Sequence, residues 1–300
     1  IIFQSWAVRV IMDDHFIKGV VFESKTGRPA IAAKVVIDCT GDGDIAALAG
    51  ADFVEGNLPL GLVFRVGNVD TRKSEEFLQK NPDALIPLKE ELKKANITGG
   101  AYGFANQMPG VYLLSSRESV VWFNNIFPGN PLDIGDLTKA EISIRRAMMI
   151  MVEFYQKHIP GFEKAFVIDT ASQIGTRASR RIVGEYVIQV KEFLQGKRYE
   201  DEICILQPPY RGFSPSDPYK AIPYRALIPK QIDNLLIAGR CLSSDIGAQE
   251  ILRIIPPSMA TGQAAGTAAA LSFLQGIKPR NLNYKVLKNK LIEQGVYLDG

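Results

Sequence analysis

The sequence predicts an α/β fold in which one parallel-sheet domain is assembled from both ends of the chain around an inserted α+β domain. Residues 31–39 contain three consecutive β-branched residues, which is typical of a strand buried on both faces. A glycine-containing turn and a short helix follow this strand. The same order of strand, glycine and helix returns after residue 234. We therefore assign residues 1–55 and 232–300 to one domain and residues 56–231 to the insertion.

The first segment is predicted to begin with an antiparallel meander. Residues 5–11 and 17–23 are rich in β-branched and aromatic residues, and a short polar turn joins them. The third strand, over residues 31–39, ends at a turn with two glycines. Asp44 is a suitable N-cap for a short helix over residues 45–51.

The insertion is predicted to mix strands and helices. A capping-box pattern at residues 138–141 predicts a helix that begins there and ends before Pro160. A further helix is predicted over residues 179–195, whereas residues 205–231 are proline-rich and irregular. The other predicted elements are strands over residues 62–69, 111–116 and 119–124 and helical pieces within residues 74–94.

A long helix is predicted after Pro256 and Pro257, because proline is tolerated in the first turn of a helix. It follows a short buried strand over residues 234–238. Four small residues share one face of this helix, so a sheet or a flat ligand could approach its backbone closely. Ordinary packing of the helix on a sheet is the alternative. The residues of this face are Gly262, Ala265, Gly266 and Ala269.

Composition excludes several classes of protein. The chain has 300 residues, of which 46% are apolar and 22% charged, and its net charge of +3 is too balanced for an electrostatic nucleic-acid binder. Its three cysteines are not spaced as CxxC, which disfavours a disulfide framework or a structural zinc site and favours a reducing compartment. No stretch of 18 residues is apolar throughout. We expect a cytoplasmic protein without a membrane or nucleic-acid partner.

The turn at residues 38–44 is a candidate ligand-binding edge. Glycines at the carboxyl end of a strand allow close approach of a ligand, and this edge is where α/β sheets bind ligands. A tight strand-to-helix turn is the alternative. Calcium binding through Asp42 and Asp44 is disfavoured, because the EF-hand pattern is absent. His15 and His158 are poorly placed for general-base catalysis, and we expect no metal site.

Seven segments together resemble the FAD-dependent oxidoreductase family of the glutathione-reductase-like flavoprotein superfamily. The resemblance covers nearly all of the chain. It implies a Rossmann-like FAD/NAD(P)-binding domain with an inserted substrate domain, and FAD as cofactor. The segments are AKVVIDCTGDGDIAALAGA (33–51), LTKAEISIRRA (137–147), PGFE (160–163), QIGTRASRRIVGEY (173–186), IPYRALIP (222–229), NLLIAGRCLSS (234–244) and RIIPPSMATGQAAGTAAAL (253–271).

The resemblance also implies positions around the cofactor. Ala7 corresponds to a backbone contact at the adenine end, and Gly239 and Arg240 lie near the ribityl chain and pyrophosphate. Backbone amides before the final helix meet the pyrimidine edge of the flavin, where a helix N-terminus stabilises negative charge. The implied cofactor-binding residues are Ala7, Thr40, Gly41, Asp42, Gly239, Arg240, Arg253, Ile254, Ile255 and Gly262.

The sequence departs from the superfamily in one major respect. No GxGxxG occurs in these 300 residues, although this fingerprint normally precedes the crossover meander and holds the pyrophosphate. The sequence starts at Ile1 without a methionine, so we expect a fragment with about half of a cofactor site, which binds FAD weakly or not at all. The strand edge left unpaired favours self-association, so a homo-oligomer is expected. A redox dithiol is absent, which argues against a disulfide reductase.

Three arginines are candidate substrate ligands. If residues 179–195 are helical, Arg177, Arg180 and Arg181 share a face and could bind an anionic group. The alternative is an ion-pair cluster with Glu185. Tyr224 and Arg225 are also candidates, with a packed tyrosine and a snorkelling arginine as the alternative.

The expected function is hydride transfer between flavin and a small organic substrate, which is anionic if the arginines contact it. A non-catalytic remnant that binds no flavin is the second hypothesis. A carbohydrate-active protein is a weaker third.

Overall fold

The computed structural model describes residues 1–56, 58–94, 120–207 and 214–298. The chain divides into two units: Ile1–Gly56 with Ala178–Gly300 forms unit 1, and Asn57–Arg177 forms unit 2. Both helices and strands occur in each unit, so the mixed α/β class predicted from the sequence is confirmed. The strand predicted over residues 111–116 lies outside the described residues.

Unit 1 begins with an antiparallel sheet of three strands, β1 (Trp6–Asp13), β2 (Phe16–Glu23) and β3 (Ala30–Ala32), in that order. The single strand predicted over residues 31–39 is wrong. The chain leaves β3 after Ala32 and forms a separate strand, β4 (Val36–Asp38). β3 pairs antiparallel with β2, whereas β4 pairs in parallel with a strand near the C-terminus, so the two strands belong to different sheets.

A glycine begins the helix that follows β4. Helix α1 (Asp44–Leu48) has Gly43 as its N-cap, in the left-handed conformation at φ +64°. The prediction of Asp44 as the N-cap is therefore wrong by one residue. Strand β5 (Phe53–Glu55) follows and completes the first segment of unit 1.

Unit 2 is an antiparallel sheet packed against helices. Its strand order is β7–β6–β8, and Phe64 of β6 stacks on Phe123 of β7 with ring centroids 5.1 Å apart in the core. The elements are β6 (Leu60–Gly67), α2 (Thr71–Lys80), α3 (Ile86–Lys94), β7 (Val121–Phe127), α4 (Ile134–His158) and β8 (Phe166–Thr170).

Helix α4 starts one turn before the predicted capping box. Its N-cap is Asp133, whose carboxylate accepts the amide of Asp136 at 2.7 Å. Aspartate is as good a cap as the predicted threonine, and it comes first along the chain. The helix ends before Pro160, as predicted.

The PGFE segment has a structural role in unit 2. Gly161 adopts φ +99° and its carbonyl accepts the amide of Asp70 at 2.8 Å. Glu163 accepts the amide of Gly161 at 2.9 Å and pairs with Lys73 at 2.7 Å. The segment therefore fastens the end of α4 to the start of α2.

The chain re-enters unit 1 at residue 178. In α7, Pro256 and Pro257 occupy the first turn as predicted. In the part of the chain that the structure describes, no helix, α7 included, is both long and apolar enough to cross a membrane. The remaining elements are β9 (Arg180–Ile182), α5 (Val190–Leu194), β10 (Glu202–Leu206), β11 (Lys220–Pro223), β12 (Leu235–Ile237), α6 (Ile246–Leu252), α7 (Ile255–Gln275) and α8 (Tyr284–Glu293), with 3₁₀ turns at Tyr224–Leu227 and Pro279–Asn281.

The helix predicted over residues 179–195 is wrong, since only α5 is helical there. β9 is extended because it pairs antiparallel with β5, with Phe53 opposite Ile182. Residues 205–231 are not irregular throughout, because β11 pairs with β10. These strands share unit 1 with the C-terminal segment, so the division at residue 178 differs from the predicted return at residue 232.

We predict that Gly161→Ala destabilises unit 2. A Cβ at this position would overlap the carbonyl oxygen of Asp70, and the backbone conformation is strained for any residue with a side chain. The expected loss is about 2–4 kcal/mol, measured by urea unfolding. Gly262→Ala in α7 is the control, because its Cβ would meet no described atom within 4 Å and alanine favours helix by up to about 1 kcal/mol. Equal unfolding midpoints for the two variants would contradict this account.

Candidate functional site

Two parallel strands place the candidate site at one edge of unit 1. β4 and β12 pair with Val36 opposite Leu235 and Asp38 opposite Ile237. Because the strands are parallel, the residues that follow them emerge at the same edge. The predicted positions Thr40 and Gly239 are therefore brought together from opposite ends of the chain.

Asp38 organises the turn after β4. Its side chain is fully buried, and one carboxylate oxygen accepts both the amide of Thr40 at 2.9 Å and its hydroxyl at 2.7 Å. The other oxygen accepts the amide of Ala46 at 2.8 Å. The Thr40 hydroxyl in turn accepts the amide of Asp44 at 2.9 Å. These bonds satisfy the start of α1, which explains why its N-cap can be a glycine.

A glycine in the left-handed conformation follows each of the two strands at this edge. Gly41 and Gly239 have φ values of +83° and +84°. A Cβ at Gly41 would lie 2.7 Å from Cζ of Arg240, so the guanidinium rests directly on this glycine. Among the described residues, a Cβ at Gly239 would meet only the Ser258 hydroxyl, at 3.9 Å. The space above Gly239 is open.

Two arginines compensate the acidic residues of the turn. Arg240 pairs with Asp42 at 2.8 Å, and the buried Ser179 hydroxyl donates to the same carboxylate. Arg180 pairs with Asp44 at 2.8 Å. Burial raises the pKa of the Asp44 carboxyl, and the hydrogen bond from Arg180 opposes this shift. Each carboxylate of the loop thus has a cation beside it, so the edge does not repel an anionic ligand through these two groups.

The start of α7 has fewer amide donors than a usual helix N-terminus. Its N-cap is Ile254, which makes no side-chain cap bond, and Pro256 and Pro257 carry no N–H. The amide of Ser258 already donates to the carbonyl of Ile254 at 3.2 Å. The predicted donors at this edge therefore reduce to the amides of Ile254 and Ile255. Thr261 fixes the neighbouring loop, since its hydroxyl oxygen accepts the amide of Gly239 at 3.1 Å.

The glycine face of α7 is only partly packed. Ala265 is buried in the core of unit 1, whereas an added Cβ at Gly262 or Gly266 would meet no described atom within 4 Å. The approach of a flat ligand to the two glycines stays a prediction, and the buried face of the helix overlaps the predicted face at Ala265. The residues of that buried face include Thr261, Ala264, Ala265, Ala268 and Ser272.

The three candidate arginines do not share a helix face. Arg180 and Arg181 are neighbours on strand β9, whose side chains point to opposite sides. Arg181 is buried and donates to the carbonyl of Ser244 at 3.0 Å. Arg177 belongs to unit 2 and donates to the carbonyl of Pro59 at 2.8 Å. The alternative cluster with Glu185 is also wrong, since that carboxylate pairs at 3.6 Å with Arg280.

Tyr224 and Arg225 are both engaged within unit 1. The buried Tyr224 hydroxyl donates to the carbonyl of Pro279 at 2.9 Å, and burial raises its pKa. Arg225 makes two bonds to the Asp201 carboxylate, at 2.9 and 3.0 Å. Both residues line a cavity of about 600 Å³ together with Glu185. Their substrate role stays a prediction that no contact in the structure supports.

Other predicted positions lie outside the edge or add little to it. Ala7 is within β1, opposite Phe22, and packs on the core that contains Val36. Arg253 donates its amide to the carbonyl of Gln249 at 3.0 Å. In the described residues no group of three His, Cys, Asp or Glu side chains could hold a metal ion.

Sequence reasoning missed Asp38, Ser179 and Ser258, which all lie at or beneath this edge. The sequence could have indicated a role for Asp38, because this residue lies just before the glycine turn. No such indication exists for Ser179, since it lies 137 positions from Asp42 in the sequence.

The family follows from a match over residues 1–291, which covers nearly the whole chain, to the model of the FAD dependent oxidoreductase family. The chain belongs to this family. The predicted resemblance to this family and the α/β fold class are thereby confirmed, and the cofactor of the family is FAD. No curated protein matches the chain.

Several solved structures are similar to this family member at low identity. A geranylgeranyl bacteriochlorophyll reductase-like protein from Thermoplasma acidophilum is 12% identical with a TM-score of 0.40, covering 97% of this chain and 54% of its own. The p-nitrophenol 4-monooxygenase of Pseudomonas putida DLL-E4 is 11% identical with a TM-score of 0.38, covering 96% and 52%. L-proline dehydrogenase from P. horikoshii is 12% identical with a TM-score of 0.32, covering 98% and 55%. The chain therefore spans about half the length of these structures.

The residues at the edge fit part of an FAD molecule. Among the described residues, the open space above Gly239 is a cradle that any side chain would fill, whereas the Arg240 guanidinium covers Gly41. The amides of Ile254 and Ile255 and the hydroxyl of Ser258 are donors suited to carbonyl oxygens. The sequence has no GxGxxG to hold a pyrophosphate. The fit is therefore to the flavin end of the cofactor.

We predict that Arg180→Lys lowers the stability of unit 1. Arg180 bonds to Asp44, donates to the carbonyl of Asp42 at 3.2 Å and lies 5.3 Å from the ring centroid of Phe53, and lysine cannot make all three contacts. The expected loss is about 1 kcal/mol in urea unfolding. Arg28→Lys is the control, because Arg28 makes an exposed pair with Glu23. Unchanged stability with impaired substrate turnover would restore the role of Arg180 in anion binding.

Proposed function

We propose that this chain contributes the flavin-ring half of an FAD site in an oxidoreductase that acts on a small organic substrate. Family membership supports the cofactor, and the observation that carries the proposal is the open space over Gly239, between the Arg240 guanidinium that covers Gly41 and the start of α7. The chemistry that FAD supplies when bound is hydride exchange with the substrate at the flavin N5 atom. The protein's own groups hold and orient the ring.

The donors at the edge determine which part of the cofactor is held. The amides of Ile254 and Ile255 lie at the positive end of the dipole of α7, a 21-residue helix, which favours an oxygen that carries negative charge. Ser258 adds a hydroxyl in the first turn, where Pro256 and Pro257 remove two amides. Hydrogen bonds to charged groups contribute roughly 1.5–3 kcal/mol each, so these few donors support only modest affinity.

Arg240 supplies a fixed positive charge at the same edge. Its guanidinium is held by Asp42 and rests on Gly41, and its carbonyl accepts the side-chain amide of Gln249 at 2.8 Å. A fixed cation stabilises an anionic ligand without reorganising when the ligand arrives. Because Asp42 shares this charge, we expect the arginine to orient the cofactor more than to neutralise a phosphate.

We predict that FAD binds with a dissociation constant in the micromolar range or weaker and protects Cys39 from alkylation. Cys39 is the exposed cysteine, directly between Asp38 and Thr40 at the edge, whereas Cys204 and Cys241 are buried. Burial raises the pKa of Cys204 to about 12 and raises the pKa of Cys241 well above its usual range. Iodoacetamide at mildly alkaline pH should therefore label Cys39 alone, because the other two thiols are buried and lack the reactive thiolate form.

Flavin fluorescence measures the affinity, and mass spectrometry of the alkylated peptides measures protection. Labelling of Cys204 is the internal control for loss of fold. If FAD binds without slowing the reaction of Cys39, the cofactor lies elsewhere. If no binding is detected at millimolar FAD, the chain is a remnant that does not bind flavin.

A further inference from the structure

Helix α1 is capped by residues outside itself. Its N-cap, Gly43, has no side chain to accept the amides of the first turn. The hydroxyl of Thr40 accepts the first of these amides, that of Asp44, and the carboxylate of Asp38 accepts the third, that of Ala46. Asp38 at the end of β4 and Thr40 just after it therefore cap α1 in place of Gly43.

The turn between Thr40 and α1 is built on two glycines that contribute no side chain to the capping. Asp38 also holds the amide and hydroxyl of Thr40, so the strand end and the helix start are joined through one carboxylate. Between them, Gly41 and Gly43 both take left-handed conformations. A conventional side chain at position 43 would have to meet Ile182, whose Cδ1 lies 2.7 Å from where its Cβ would be. The glycine is needed there, and capping has to come from elsewhere.

We propose that Asp38 and Thr40 are positioning residues for the cofactor edge. They act through Gly41, on which the Arg240 guanidinium rests, and through Asp42, with which it pairs. This inference rests on the proposed function, since the edge they position is the one that would hold FAD.

The chemistry of the bonds explains why an aspartate is required. All three groups that contact the Asp38 side chain are donors, and a carboxylate accepts on both oxygens. An asparagine would direct an N–H₂ group at one of the donors. A carboxylate with this many donors can remain buried, because its lost hydration is replaced.

Because Thr40 is exposed, its role in positioning the edge can be tested separately from its effect on the stability of the core. Thr40 is exposed, whereas the strand pair below the turn is packed through buried residues such as Val36, Leu235 and Ile237. Thr40→Val keeps the size of the side chain and removes both hydrogen bonds of its hydroxyl. The core should therefore fold normally while the turn loosens.

The test compares Thr40→Val with Thr40→Ser, which keeps the hydroxyl, and with Thr170→Val in unit 2. Thr170 is a matched control, because its hydroxyl also accepts one bond, from Arg145 at 2.9 Å, and donates another, to the carbonyl of Ala171 at 3.0 Å. Amide hydrogen exchange of residues 40–46 is measured on the flavin-free protein. FAD affinity and the visible circular dichroism of the bound flavin are then measured on the same samples.

In Thr40→Val we expect faster exchange of residues 40–46, FAD affinity lower by about tenfold, which corresponds to one lost hydrogen bond, and an altered flavin dichroism. Thr40→Ser and Thr170→Val should match the wild type in all three. Unchanged affinity and dichroism in Thr40→Val would overturn the positioning role while the proposed function stands. Loss of cooperative unfolding in Thr40→Val would make the role structural and also overturn it. A wild-type chain that binds no FAD would overturn the proposed function, and this inference with it.

Discussion

The parallel pairing of β4 with β12 is the contact on which the candidate site depends. Each strand has three residues, and about two hundred positions of sequence separate them. Their pairing brings Thr40 and Gly41 beside Gly239 and Arg240, and α7 packs against both strands. If the strands did not pair, the two glycine turns would be unrelated loops. The charges and the open space at the edge depend on this register of β4 and β12.

Arginines from distant parts of the chain pair with the acidic residues at the edge. The end of β4 and the turn after it carry carboxylates at Asp38, Asp42 and Asp44, which in isolation would repel an anionic cofactor. Backbone and hydroxyl donors engage the first, and Arg240 and Arg180 pair with the other two. The result is an acidic sequence with a locally compensated surface. This compensation also accounts for why Arg180, which resembles a substrate ligand in sequence, is better explained as part of the turn.

The donors at the start of α7 show how sequence chemistry limits what a fold can bind. A long helix end normally offers several amides, but Pro256 and Pro257 leave those of Ile254 and Ile255, with the hydroxyl of Ser258 nearby. These donors, in a sequence without GxGxxG, are the basis for proposing that the chain holds the flavin end of the cofactor. The chain spans about half the length of the solved structures to which it is similar. Affinity for the whole cofactor would need donors beyond those found here.

The sequence by itself determined the family, the α/β class and most of the elements whose signals are local. The ends of α4 at Pro160 and the proline-containing start of α7 were predictable, because proline and capping residues act on their immediate neighbours. The extended conformation of β9 was not predictable, because its strand partner β5 lies more than a hundred residues away in the sequence. Pairing with β5 keeps Arg180 and Arg181 extended, although their spacing from Arg177 is typical of a helix. Nor could the sequence predict that Arg181 is buried, that Asp38 lies under the turn, or that Gly262 and Gly266 of α7 have no packed neighbour among the described residues. Those outcomes depend on which surfaces meet after folding, and only the tertiary structure, in which distant segments compete for the same hydrogen bonds and core volume, decided them.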